Sequence, residues 1–319
     1  MKKRIVSIAL AMIMTLCLCA GAVAEYTPSG EYNIRVFAAA GGVADVVTRI
    51  TAQSLQETYG VTAIINNLTG ANGAVAVTDM NTYDPSIHEM SLVSMGLFTM
   101  GPLMNPELGI KFEDYSVVGS LIRDEFVLLV SAESGIKTWE DLVAYSQNNA
   151  VTFASNTPGG NTHVVQTALF GGADIPAMAL TSSGSNKDIL AVLSGDAICT
   201  AATITLSKAQ VESGELVPIM VFSENDCTAF ANYEKVPTAK SLGYNVVLPS
   251  INFLVARAGV PQEEINGLYN AILACRETEG FKTAAAAANY TPDTTGAKEL
   301  SEEIANVAAI CEEIYNTYY

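Results

Sequence analysis

The chain has 319 residues, half of them hydrophobic and only 15% charged, with a formal net charge of −17. Apolar residues are plentiful enough for a sizeable core, which excludes a disordered chain, and the length suits two domains. So acidic a surface repels nucleic acid and anionic lipid headgroups, and no nucleic-acid partner is expected.

The chain opens with Lys2, Lys3 and Arg4, an apolar run "IVSIALAMIMTLCLCAGA", and a small-x-small "AVA" at 22–24 before Glu25. This pattern is a secretory signal peptide over residues 1–24, shorter than a membrane span. Cys17 and Cys19 raise lipid attachment as the alternative to plain cleavage, although Leu16 and Leu18 stand where that processing usually has a small residue. An exported product is expected, in the periplasm or at the outer face of the cell membrane.

"YNIRVFAA" reads as a strand and "ADVVTRITAQSLQETYG" as a helix, with Val46, Val47, Ile50, Leu55 and Tyr59 on one face and Gly60 as its stop. "VTAIINN" is a strand, followed by a Gly-rich stretch "LTGANGAVAVTDMN"; "HEMSLVSM" and "FVLLVSA" are strands. "TWEDLVAYSQNN" is a helix whose Thr138 and Asp141 approximate a capping box. Then "AVTFAS", "THVVQTALFGG", "PAMALTS" and "NKDILAVLSGD" alternate strand with helix, "AICTAATIT" and "LVPIMVFS" are strands, and the C-terminal third is mostly helical. The alternation implies βαβ units and mainly parallel sheets. No low-complexity linker is visible, so crossing strands are expected to join the two halves.

Ligands of such sheets bind where strands run into helices. Three Gly- or Ser-rich loops fall there. In the first, Ala40, Gly41, Gly42, Val43, Ala44 and Asp45 precede a helix, and glycines at 41 and 42 let backbone N–H groups face a cleft. The helix dipole adds about 0.3–1 kcal/mol for an anion, and each charge-assisted hydrogen bond about 1.5–3 kcal/mol. A carboxylate suits this loop; a packing turn is the plain alternative. In the second, Thr157, Gly159, Gly160, Asn161, Thr162 and His163 repeat the arrangement. The third holds Ser183, Gly184 and Ser185. His163 serves either as a structural residue or as an acid–base group.

No GxSxG, HExxH or Walker sequence is present, and neither histidine has a sequence-local metal partner, so neither catalysis nor a cofactor is expected. Cys199, Cys227, Cys275 and Cys311 match no zinc or redox spacing. Four cysteines allow three pairings, with Cys275–Cys311 the natural candidate; buried free thiols are the alternative.

In order, "AGGVADVVTRI", "IINNLTGANGAVAV", "WEDLVAYSQ", "TPGGNTHVVQTALF", "SGSNKDILAVLSGD" and "VPTAKSLGY" resemble the substrate-binding proteins of tripartite tricarboxylate transporters, the Bug family of extracytoplasmic solute receptors. The resemblance implies an α/β, two-lobed, type II periplasmic-binding-protein fold with a ligand cleft between lobes. It places lobe 1 at 25–124 and 246–319, and lobe 2 at 125–245, with the chain crossing near Arg123–Val130 and returning around Tyr244–Leu254. The implied function is capture of a small organic carboxylate (a di- or tricarboxylate, an amino acid or an aromatic acid) for membrane permease subunits. A sensor lobe for a membrane kinase, and an exported hydrolase using His163 with Ser155 or Ser182, are the competing readings. Phe37, Ala38, Ala44, Thr157, Gly160, Ile251 and Phe253 depart from the family pattern. Ala44 and Gly160 remove two hydroxyls and imply a less polar or differently shaped ligand.

Overall fold

A computed structural model describes residues 26–182, 184–288 and 290–319. The proposed signal peptide, with Cys17 and Cys19, and Ser183 of the third loop lie outside the described residues. In chain order the elements are β1 (Glu31–Val36), α1 (Val43–Tyr59), β2 (Thr62–Asn67), α2 (Ala74–Met80), β3 (Glu89–Ser94), α3 (Gly101–Met104) and β4 (Tyr115–Ser131). There follow α4 (Trp139–Ser146), β5 (Val151–Ser155), α5 (Asn161–Gly172), β6 (Ala177–Thr181), α6 (Ser185–Leu193), β7 (Cys199–Thr203), α7 (Ile204–Glu212) and β8 (Leu216–Val221). The last are β9 (Pro249–Arg257), α8 (Gln262–Arg276), α9 (Glu279–Ala287) and α10 (Ala297–Tyr318).

The strands run β2-β1-β3-β9-β4-β7-β5-β6, with β8 also paired to β4. The outer ladders are parallel: β1 with β2 and β3, and β5 with β6 and β7. Around β4 and β9 the pairing is antiparallel. The sheet is thus mixed, because β4 and β9 run oppositely through its middle while each βαβ half keeps its parallel strands.

β4 carries the architecture. Residues 115–125 pair with β9, and residues 126–131 pair with β7 and β8. Between two buried apolar runs lie Arg123, Asp124 and Glu125, where the strand changes partners. The C-terminal ends of β1, β2 and β3 lie on one side of that point, and those of β5, β6 and β7 on the other.

Packing follows the periodicity. Val47, Thr51 and Leu55 bury one face of α1, and Gly60 closes the helix at φ 71°. Leu300, Ile304, Val307, Cys311 and Ile314 do the same for α10, which packs against β4 and α5. At its end the Tyr318 ring would sit 2.3 Å from a Cβ at Gly171, so that helix–helix approach requires glycine. The buried guanidinium of Arg35 is paired with Asp79 and Glu89.

Not every element was anticipated. The first 11 residues of β4 lack clean alternation because both their faces are covered. The Gly-rich stretch after β2 contains α2, entered through Gly73 at φ 107°. The run "AICTAATIT" ends as a strand at Thr203, where the β-branched Ile204 and Thr205 open α7. The cysteine alternatives resolve to four free, buried thiols. Cys275 belongs to the core under α1 and α8, and Cys311 to the core that runs beneath α10, so they do not pair.

Candidate functional site

The first loop is shaped by one carboxylate. Asp45, 2% exposed, accepts from the Gly41 N–H at 2.8 Å, from Asn67 Nδ2 at 2.9 Å and from Arg49 Nε at 3.0 Å. Asn67 Nδ2 also reaches the Ala38 carbonyl at 2.9 Å, so the end of β2 fixes the loop after β1. Burial would raise the Asp45 carboxyl, but the bonds from Arg49, Gly41 and Asn67 outweigh it and hold the group below the usual carboxylate range.

This corrects part of the expectation. The Gly41 N–H is spent on Asp45, and the Gly42 N–H on the Ala39 carbonyl at 3.1 Å, so neither is offered to a ligand. Gly41 is needed for its conformation, φ +79°, which turns the chain back toward Asp45. Gly42 is the N-cap of α1 and makes no side-chain cap. Among the described residues, the amides of Val43 and Ala44 in the first turn therefore have neither an intrahelical acceptor nor a capping oxygen. These two amides directly follow the glycines.

The second loop is built the same way. Gly160 caps α5 without a side chain, and its own N–H goes to the Thr157 carbonyl at 2.8 Å. Thr162 Oγ1 accepts from the Asn156 N–H at 3.1 Å, and Gln166 Nε2 donates to the carbonyls of Ala154 at 3.0 Å and Thr162 at 2.8 Å. Asn161 and Thr162 are left as the open first-turn amides of α5.

His163 faces elsewhere. Its Nδ1 hydrogen-bonds the Tyr319 hydroxyl at 2.7 Å, beside the Gly159 N–H at 3.5 Å, and burial lowers its pKa. In the third loop Ser182 Oγ donates to Asp188 Oδ1 at 2.6 Å and accepts from the Gly184 N–H at 3.1 Å. Gly184 caps α6, again with no side-chain bond. His163 is thus bound to Tyr319, and Ser182 to Asp188, with no serine–histidine hydrogen bond among these contacts.

The two halves meet at these loops. A Cβ at Gly96, just after β3, would lie 2.6 Å from Asn161 Oδ1, and one at Gly159 would lie 2.7 Å from Met104 Cγ. A Cβ at Gly73 would touch Phe37, Leu97 and Val93 at 3.4–3.7 Å, which brings the loops after β1, β2 and β3 together. The loops after β1, β2 and β3 therefore gather at one end of their strands, and the loop after β3 touches the N-terminus of α5.

Residues that sequence reasoning missed lie where β4 changes partners. Asp124 Oδ2 accepts from the Thr205 N–H, the second residue of α7, at 3.2 Å, and its Oδ1 from the Glu125 N–H at 2.8 Å. Burial raises its pKa, partly offset by Thr205, Glu125 and Thr203. Glu125 is raised too, chiefly by burial, despite a hydrogen bond from Ser223. Arg123 turns away to Glu303 at 2.6 Å and Asp293 at 3.4 Å. Asn67 was equally unmarked. The available signal was the charged triplet "RDE" interrupting two apolar runs.

Among the described residues no group of three or more His, Cys, Asp and Glu is placed to hold a metal ion. No helix among them is long and apolar enough to cross a membrane.

The profile of the tripartite tricarboxylate transporter family receptors matches residues 47–314. A 133-residue stretch is 35% identical to an uncharacterised protein of Agrobacterium vitis, covering 41% of this chain and 38% of that protein. The BugT protein of Bordetella pertussis is 26% identical over 289 residues, covering 88% of this chain and 86% of BugT. The malate-bound MatC protein of Rhodopseudomonas palustris shares the fold with a TM-score of 0.77 at 18% identity, over 90% of this chain and 99% of MatC.

Proposed function

The chain belongs to the receptor family of tripartite tricarboxylate transporters, and from that premise we propose that it captures a small organic carboxylate outside the cytoplasm and delivers it to membrane permease subunits. One observation carries the reading. Gly42 leaves the first turn of α1 without a side-chain cap, while Asp45, Asn67 and Arg49 hold the loop in place. Removing the cap leaves donors for a ligand oxygen, and preorganising the loop lowers the ordering cost of binding.

The ligand cradle is assigned to Val43, Ala44, Asn161 and Thr162, with Ser185 at the start of α6, and Ala40, Gly41, Gly42, Gly159, Gly160 and Gly184 shaping the turns. Asp45 and His163 act on loop shape rather than on ligand. MatC, of the same fold, holds malate, which supports a carboxylate in this cleft too. Lobe 1 is taken as 25–124 and 246–319 and lobe 2 as 125–245, closing about β4 and β9. Export rests on the leader sequence at 1–24.

The test is a thermal-shift screen of residues 25–319 against small carboxylates, each beside its neutral amide. A ligand at a hundredfold excess over Kd adds about 2.7 kcal/mol. A shift with an acid and none with its amide is expected; shifts with neutral compounds alone would contradict the reading. Closure should lower the radius of gyration on binding, and an unchanged radius would count against a clamp.

A further inference from the structure

The two histidines of the chain are set in opposite ways. His88 Nδ1 lies 3.0 Å from the Glu31 carbonyl, which can only accept, so in the neutral imidazole that nitrogen carries the proton. His163 Nδ1 instead meets the Gly159 N–H at 3.5 Å, which can only donate, and the Tyr319 hydroxyl at 2.7 Å. A backbone N–H cannot share a nitrogen that already bears a proton. We infer that Tyr319 is a positioning residue for the second loop. Its hydroxyl donates to His163 Nδ1, fixes the imidazole as the Nε2–H tautomer, and so ties the Gly159 turn to the end of α10. Its effect on ligand, through the amides of Asn161 and Thr162 that follow this turn, rests on the carboxylate reading above.

Directed contacts rather than burial hold Tyr319 for this task. The residue is 46% exposed, yet its ring stacks on Tyr315 with centroids 5.8 Å apart and planes at 11°. Burial raises the phenol pKa, and a hydrogen bond with Thr167, one turn beyond His163 on α5, offsets part of that rise. With Thr167 supplying a hydrogen to the phenol oxygen, the phenol proton is left for Nδ1. The His163 ring also packs against Phe153 at 5.9 Å, and Phe153 stacks on Phe170 at 5.6 Å. Ring packing therefore places the imidazole, while the proton on it is decided by the Tyr319 hydroxyl.

α10 brings a remote reference to this turn. Its start is fixed on the first part of β4: the Ser120 N–H donates to the Thr295 carbonyl at 3.1 Å, and Arg123 pairs with Glu303, in the second turn of the helix, at 2.6 Å. The 22 residues of α10 then span about 33 Å. Near its far end the Tyr318 ring lies against Gly171 of α5, which keeps the two helices close where Tyr319 reaches His163. The second loop thus takes its position from residues 120–123 of β4, by way of α10, as well as from Met104, which abuts Gly159.

The experiment is 15N NMR of the imidazole rings and backbone amides at about pH 8, well above the ordinary histidine value, on wild type, Tyr319→Phe and Tyr318→Phe. In wild type His163 should show a pyridine-type signal at Nδ1 and a pyrrole-type signal at Nε2, the reverse of His88. Tyr319→Phe keeps the ring and its stack but lacks the hydroxyl. Its His163 nitrogens should move toward an averaged value, and the amides of Gly159, Gly160 and Asn161 should shift in the free protein. Affinity for the acid that gives the largest thermal shift should fall about fivefold. His88 in every protein, and all signals of the second loop in Tyr318→Phe, should stay as in wild type. A wild-type His163 protonated at Nδ1 overturns the inference before any variant is made. So does a Tyr319→Phe protein with unchanged His163 signals and loop amides, or one with changed signals and full affinity. If no acid binds wild type, the carboxylate reading falls by itself, and the tautomer and loop amides still decide whether Tyr319 positions the loop.

Discussion

The first turns of α1 and α4 are built on one plan and used for opposite ends. Each has an aspartate at its third position, Asp45 and Asp141, whose carboxylate folds back onto the backbone N–H groups just before the helix. In α4 the N-cap is Thr138, whose hydroxyl accepts the Asp141 N–H at 3.2 Å and completes a capping box. In α1 the N-cap is Gly42, and the corresponding amide, that of Asp45, has no such oxygen. One hydroxyl separates a helix end that satisfies itself from one that holds donors out. The turn of α1 gives up the roughly 1 kcal/mol a cap supplies and keeps its shape through Asp45 instead.

The comparison breaks first at Asp45. Asp45→Ala removes the acceptor for Gly41, Asn67 and Arg49, and should destabilise the protein by about 2 kcal/mol in urea titrations. It should also weaken carboxylate binding by about a hundredfold, since the loop is no longer held. Normal affinity in that variant would show that the loop needs no such anchor. Next comes Gly42→Ser, which supplies the missing cap. Affinity should fall by about tenfold to a hundredfold, as the new hydroxyl competes for the amides the ligand uses. Stability should hold or rise by about 0.5 kcal/mol. Gly42→Ala introduces the same Cβ, 3.2 Å from the Ala39 carbonyl, and should bind better than the serine variant.

Thr138→Ala is the mirror experiment: about 1 kcal/mol of stability lost on urea unfolding, with affinity unchanged. The smallest effect is on pH. The Asp45 carboxyl is held below its ordinary range, so its stabilisation is complete above about pH 4, the unfolded value. That stabilisation is lost as pH falls through the lower native pKa. The urea midpoint of Asp45→Asn should therefore fall less steeply between neutral and strongly acid pH than that of wild type.

Much of this was legible beforehand. The order of most strands and helices follows from periodicity and the family from motif order, while the crossing near Arg123 was implied by the resemblance. What differed was the use of the glycines: the N–H groups of Gly41 and Gly42 are bonded within the loop, to Asp45 and to the Ala39 carbonyl. That distinction depends on Asn67 and Arg49 reaching Asp45 from other places in the chain, which no local pattern encodes. The contact of His163 with Tyr319 was not legible, since the two are distant in sequence. The contact of Asp124 with Thr205 depends on β4 lying beside α7, a fact of topology rather than of spacing.

The central claim, that the open first turns of α1 and α5 receive the carboxylate, is tested most directly by amide NMR. The acid giving the largest thermal shift would be titrated into 15N-labelled protein. The account predicts the largest 1H shifts at Val43, Ala44, Asn161 and Thr162, with Glu140 and Asp141 in the capped turn of α4 unmoved. Large shifts elsewhere, with those four amides unchanged, would contradict it.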